Sequence, residues 1–162
     1  MSIPKLTEFV ADAMLGTLAK KLRILGFDCK YFASINDEEI AALAKADSRT
    51  IITKDKLLAQ KCKKQDIRVI YLESHSEKEH LIKIARVCNL RYAVDASNAR
   101  CTSCNGCLKK ADRSIITLMP QLTHISQFWQ CLDCKHIYWE GSHIRNLKKF
   151  ISEVNVELQN KR

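Results

Sequence analysis

The sequence is short of glycine and proline, with 4 and 2 in 162 residues. That scarcity excludes collagen-like and loop-dominated architectures. It has no apolar run approaching the ~18–20 residues of a membrane span. No basic segment followed by a long apolar stretch opens the chain, so no secretory signal is expected and a cytoplasmic location is predicted. Acidic residues are also in deficit: 18 Asp and Glu face 27 Lys and Arg, a net charge of +9. With 46% hydrophobic and 28% charged residues, wholesale disorder is excluded. The length suits one ordinary domain or two small ones.

The charge is unevenly spread. Residues after 98 hold ten Lys and Arg against five Asp and Glu. Such an excess favours a polyanionic partner, nucleic acid before an anionic membrane surface. A merely soluble basic protein is the plainer reading.

Cysteine, by contrast, is plentiful. Five of the eight lie after residue 100, at short spacings. Without a secretion signal, metal binding fits them better than a disulfide framework. Cys101, Cys104, Cys131 and Cys134 form C-x2-C-x26-C-x2-C. Each two-residue spacing lets a tight turn aim two thiolates at one tetrahedral ion, so the pattern predicts a closed structural zinc site. Cys107 offers Cys104-x-x-Cys107 as an alternative turn, and free thiols or an iron–sulfur cluster are further alternatives. Cys101 is preferred because Asn105-Gly106 then falls where such a turn closes. Cys29, Cys62 and Cys88 sit in apolar patterns, as buried core residues do.

Residues 6–94 alternate short apolar runs with helical periodicity. Strands are expected at 9–11, 28–33, 50–53 and 68–72. Helices are expected from Leu15 to Gly26, over 38–46 and 56–64, and from about Ser76 through Cys88. Asn36 or Asp37 would cap the second helix. This order implies an α/β fold, a parallel sheet with helices on both faces. After about residue 95 the pattern changes. Strands are expected at 114–119, 127–130 and 136–139, as in a small β zinc ribbon. Ile144, Leu147, Ile151, Val154 and Leu158 then form the apolar stripe of a last helix. The predicted organisation is an α/β domain over 1–95, a ribbon over 96–141, and a helix with a basic tail over 142–162.

Three carboxylates stand where this fold would gather them. Asp12 ends the first strand, Asp37 opens the second helix, and Asp55 follows the third strand. In a parallel sheet the C-terminal strand ends share one edge, and ligands bind there. Carboxylates gathered there repel one another unless a cation sits among them, and magnesium or manganese suits such oxygens. Such an ion activates water and neutralises phosphate charge during phosphodiester hydrolysis. The plainer reading makes Asp37 and Asp55 ordinary helix caps. Asp12, which ends an apolar strand and precedes the small-residue segment Ala13-Met14, is harder to dismiss in that way.

Basic groups flank these positions. Lys20, Lys21 and Arg23 lie off the apolar stripe of the first helix, and Lys54 and Lys56 flank Asp55. Lys109, Lys110 and Arg113 belong to the ribbon, with Lys148 and Lys149 on the last helix. All could hold RNA phosphates without reading sequence, or simply form solvated faces. Phe128, Trp129, Tyr138 and Trp139 either stack on unpaired bases or fill a small core.

The run Phe9-Val10-Ala11-Asp12-Ala13-Met14-Leu15-Gly16, with Leu18-Ala19, Leu22-Arg23 and Leu25-Gly26, resembles the opening of the Mut-seven C-terminal RNase family. Further matches are Asp37-Glu38-Glu39-Ile40, Ile51-Ile52-Thr53-Lys54-Asp55, Arg100-Cys101-x-x-Cys104-Asn105, Phe128-x-x-Cys131-x-x-Cys134 and Tyr138-Trp139-x-Gly141-Ser142-His143. The resemblance spans about 8–145. It implies a PIN-like, metal-dependent ribonuclease, and RNA, single-stranded or structured, is the expected partner. Asp12, Asp37 and Asp55 would hold magnesium or manganese, and Cys101, Cys104, Cys131 and Cys134 would hold zinc. The chain departs from the fuller PIN pattern: only three acids are placed, and the position two residues after Asp55 is Leu57. An rRNA-maturation nuclease resembling Nob-one, and a non-catalytic RNA-binding or protein-docking module with a degenerate PIN fold, are the alternatives.

Overall fold

The computed structural model describes residues 8–160, apart from the side chains at 113, 116 and 118. The expected basic tail at Lys161 and Arg162, and the Arg113 side chain, lie outside the described residues.

Four strands, β1 (Phe9–Ala11), β2 (Cys29–Tyr31), β3 (Thr50–Thr53) and β4 (Val69–Tyr71), form one sheet in the order β2-β1-β3-β4. Every pair is parallel, with Val10 aligned on Lys30 and on Ile51. Between them run α1 (Gly16–Ile24), α2 (Asp37–Ala46) and α3 (Lys56–Lys64), and α4 (Glu77–Cys88) follows β4. Alternate strand residues point to opposite faces. Phe9, Ala11, Ile52 and Ile70 pack with Leu22 of α1 and Leu81 and Ile84 of α4. Val10 and Ile51 pack with Ile40 of α2 and Leu58 and Cys62 of α3. Helices therefore cover both faces, as the alternating pattern predicts.

Local chemistry sets the boundaries. Asn36 caps α2, accepting from the Glu39 amide while the Glu39 carboxylate takes the Asn36 amide. Ser76 caps α4, and Asn89 closes it in the left-handed region at φ 52°. The first helix begins later than expected: Ala13–Leu15 form a 3-10 turn, and α1 starts at Gly16. Tyr31 explains the glycine, because a Cβ at Gly16 would lie 2.8 Å from the Tyr31 hydroxyl oxygen.

A second sheet is antiparallel, in the order β5-β6-β7. Its strands are β5 (Leu108–Lys110), β6 (Phe128–Cys131) and β7 (Ile137–Trp139). The strand expected at 114–119 is not formed. Residues Arg113–Leu118 make a 3-10 turn, and β5 takes the earlier position instead. The Asp112 carboxylate accepts the Ser114 amide at 2.8 Å, which starts a turn where the apolar run suggested extension.

The last helix, α5 (Ser142–Asn160), returns to the parallel sheet. Leu147, Ile151 and Val154 join the core of α1 and α4. Asn155 ties it further, donating to the Tyr92 carbonyl at 2.8 Å and accepting the Tyr92 amide at 3.4 Å. Cys29 and Cys62 are fully buried and Cys88 is half-buried. Burial pushes the Cys29 thiol up to about 12, so it behaves as a core residue. Among the described residues no helix is long and apolar enough to cross a membrane.

Candidate active site and cysteine centre

The strand order reverses direction between β1 and β3. At such a switch point the connecting helices leave to opposite faces, and a crevice opens beyond the strand ends. Asp12 follows β1 there, and Thr53 ends β3. The Thr53 hydroxyl donates to Asp12 Oδ2 at 2.8 Å and accepts the Asp55 amide at 2.9 Å. Asp12 Oδ1 takes the Ala13 amide at 2.6 Å. Asp55 caps α3, its Oδ1 accepting from Leu57 and Leu58 at 2.7 and 3.0 Å. The two acids thus share one linkage, and both carboxylates are half-buried.

Asp37 stands apart. It is exposed in the first turn of α2, and its charge acts on Lys61 and Cys62 of α3. The three acids do not converge as one tight ligand set: among the described residues, only a cysteine group brings three or more ligand atoms within 4.8 Å of one another. The donor chemistry of Asp12 and Asp55 still fits magnesium or manganese, which keeps several waters and needs only one or two carboxylates. The segments that follow the strand ends expose Met14 of the 3-10 turn, Phe32 after β2 and Leu57 in the first turn of α3, at 65%, 45% and 75%.

The cysteine group is Cys101, Cys104, Cys131 and Cys134. Cys101 Sγ lies 3.5 Å from Cys134 Sγ, and Cys104 Sγ lies 3.4 Å from Cys131 Sγ. Sulfurs about 2.3 Å from a tetrahedral zinc would stand roughly 3.8 Å apart, so the donor set fits that ion and leaves no open position. Each turn closes on a left-handed residue, Asn105 at φ 68° and Lys135 at φ 64°. Gly106 lets the turns meet: a Cβ there would lie 3.0 Å from Cys131 Sγ and 2.2 Å from an Asp133 oxygen. Burial works against ionisation of Cys101, but the Tyr138 hydroxyl and the Cys104 amide outweigh it and hold the thiol at about 6. Cys107 is exposed and outside the group; it forms a bridge with Arg100 instead.

The family model described as the Mut7-C RNAse domain matches residues 7–151. The match takes in the parallel sheet, all three acids, the four converging cysteines and half of α5. The chain belongs to the Mut7-C RNAse domain family. No curated protein and no solved structure gives a significant match.

In this Mut7-C RNAse domain the basic residues take different places. Lys20, Lys56, Lys109, Lys110, Lys148 and Lys149 are exposed. Lys54 is half-buried beside Asp55, its Nζ 3.2 Å from His75 Nδ1. Lys21 is held by Glu77 and lies over the Phe150 ring at 5.1 Å. Arg23 corrects the sequence expectation of a phosphate contact: it is 5% exposed. Its guanidinium donates to the carbonyls of Cys29 and Thr102, at 2.9 and 2.7 Å. It lies off the helix's apolar stripe because the cysteine sheet docks there.

That docking is polar and specific. Asn105 accepts the Cys29 amide at 3.1 Å and donates to Asp28 at 2.8 Å. Cys29 opens β2, whereas Asp12 follows the end of β1, so the cysteine sheet and the acids occupy opposite edges of the parallel sheet. His75 was not singled out in the sequence. It has no motif, and only the fold brings its loop after β4 to Lys54.

Proposed function

We propose that this Mut7-C RNAse domain is a metal-dependent ribonuclease of PIN type that hydrolyses RNA phosphodiester bonds. The observation that carries the reading is the Asp12–Thr53–Asp55 linkage at the switch point of a parallel sheet. Asp12 and Asp55 would hold magnesium or manganese, with Asp37 acting from the rim through water. The ion supplies charge neutralisation at the phosphate and a more acidic water. Thr53 fixes the orientation of the Asp12 carboxylate, because its one proton points to Oδ2 while its oxygen accepts the Asp55 amide. Lys54 and Lys56 stand beside the acids to hold the phosphates on either side of the scissile bond.

In this reading residues 1–95 form the nuclease unit, 96–141 a zinc ribbon with structural zinc, and 142–162 a helix and basic tail serving both. Lys109, Lys110, Lys148 and Lys149 give the ribbon side a cationic surface for RNA. A second reading, a non-catalytic RNA-binding or docking module, draws on the separation of Asp37 from the other two acids.

Cleavage of labelled single-stranded and structured RNA with manganese or magnesium tests the reading. The Asp12→Asn protein should retain its fold and RNA binding and lose at least about a hundredfold in rate, the scale of a removed electrostatic group at a reacting phosphate. Cleavage by Asp12→Asn at the wild-type rate overturns it. RNA binding without metal-dependent turnover by the wild type favours the second reading.

A further inference from the structure

The chain has two tryptophans, Trp129 and Trp139, and both line one cleft. The cleft lies between the cysteine sheet, the end of α1 and the start of α5, and its volume is about 60 Å³. Trp129 and Tyr138 are direct cross-strand partners on β6 and β7. Leu108 of β5 adds to the floor. Trp139, at the rim, is 37% exposed. Arg100 and Glu140 also border the cleft, whose lining is almost wholly apolar. Neither is loose: Arg100 donates to the Asn105 carbonyl at 2.9 Å, and both Glu140 oxygens accept from Lys148 at 2.9 Å.

Several features fix what such a cleft takes. Aromatic faces stack on any base without reading its edge. Exposed Lys110 is the cross-strand neighbour of Trp129, so a cation stands beside the platform for the attached phosphate. The basic excess after residue 98 favours a polyanion over an apolar peptide. A base inside a duplex is already stacked and cannot enter.

We propose that this cleft binds one unpaired nucleobase of the RNA, at a site remote from the acids. The proposal rests on the ribonuclease reading for its ligand class. Gly16 of α1 lies at the acidic edge and Ile24 lines the cleft. Eight residues of helix separate them by ~12 Å. One RNA strand is then gripped at two points, and the cleft contributes to binding and leaves the chemical step to the acids.

Because both tryptophans line the site, their emission reports on it directly. Zinc-loaded Asp12→Asn protein is titrated at low salt with a single-stranded oligonucleotide and with its blunt duplex. Anisotropy of the labelled strand is followed in parallel. Saturable quenching by the single strand alone, tracking the anisotropy, is the expected result. Ala99 also lines the cleft, and Ala99→Leu, which fills it, should weaken single-strand binding ~10-fold, as for the loss of one stacked base. In the active protein it should raise KM by a similar factor and leave kcat unchanged. If Ala99→Leu fails to fold, the titration of the parent protein decides. Binding by anisotropy with unchanged tryptophan emission overturns the cleft proposal and leaves the ribonuclease reading standing. Equal quenching by the duplex also overturns it. Absence of any RNA binding removes both.

Discussion

The Thr53 hydroxyl joins the Asp12 carboxylate across 2.8 Å while its oxygen takes the Asp55 amide at 2.9 Å. A fully buried side chain thereby connects the end of β3 to the residue after β1. The hydrogen bonds fix the orientation of Asp12 before any ion or substrate arrives, and preorganised carboxylates hold metals better than mobile ones.

Thr53→Val keeps the shape and removes the hydroxyl. The Asp55 amide and Asp12 Oδ2 each lose a partner, so unfolding free energy should fall by about 1–2 kcal/mol. RNA cleavage should fall ~10–100-fold, with a higher manganese concentration needed for half-maximal rate. Thr53→Ser should restore most of both. Denaturant unfolding and rates across a manganese series measure this. An unchanged manganese dependence would mean that Thr53 finishes its strand and does no more.

Leu57 gives a gain-of-function test. It is 75% exposed in the first turn of α3, two residues after Asp55. A carboxylate there is favoured by the helix N-terminus, so Leu57→Asp should fold normally. It adds a fourth acid beside the proposed ion site. Calorimetric titration with manganese should show several-fold tighter binding, because affinity for hard cations rises with ligand charge. Weaker or equal binding would place the ion away from the α3 terminus.

Much of this site was legible because local signals and tertiary structure agree. Asp12 and Asp55 could be placed because the apolar runs before them end abruptly, and α3 starts where Asp55 caps it. Two features were hidden for physical reasons. The run Ile115-Ile116-Thr117-Leu118 has the β-branched composition of a strand, but the Asp112 carboxylate turns the chain at Ser114. Arg23 looks solvent-facing by helical periodicity, yet carbonyls 6 and 79 residues away enclose it. Helical periodicity describes one helix and carries no record of a second sheet docking on its polar side.

Zinc should be bound in a ratio of one per chain by elemental analysis, and Cys104→Ser should abolish it while Cys107→Ser leaves it unchanged. Metal binding releases thiol protons, so loading the metal-free protein should acidify a weakly buffered solution. Removing the ion should lower the unfolding midpoint and disorder the β5–β7 sheet first, since that small sheet relies on the four sulfurs for much of its order. Far-ultraviolet circular dichroism should retain most helix signal, because α1 to α5 pack on the parallel sheet. Equal zinc content in Cys104→Ser would overturn the assignment.

Asp28 is where the two sheets are joined by charge. It accepts from Arg49 at 2.6 Å and from Asn105 at 2.8 Å, with Arg100 at 3.6 Å. Burial works against its ionisation, yet the Arg49 and Asn105 hydrogen bonds outweigh it and hold the carboxyl below the ordinary 3.8. A lowered folded value means that this stabilisation is complete above the unfolded value and is lost as pH falls through the folded one. Asp28→Asn leaves the buried Arg49 without its nearest counter-charge, and should cost about 2 kcal/mol at pH 7. The stability difference between wild type and Asp28→Asn should be flat from neutral pH down to about 5, and should shrink once pH passes below 3.8. Taking the difference removes acid losses common to both proteins, including loss of zinc. A difference that persists undiminished to low pH would show that the carboxylate's charge is not what joins the sheets, and would shift that role to the Asn105 amide.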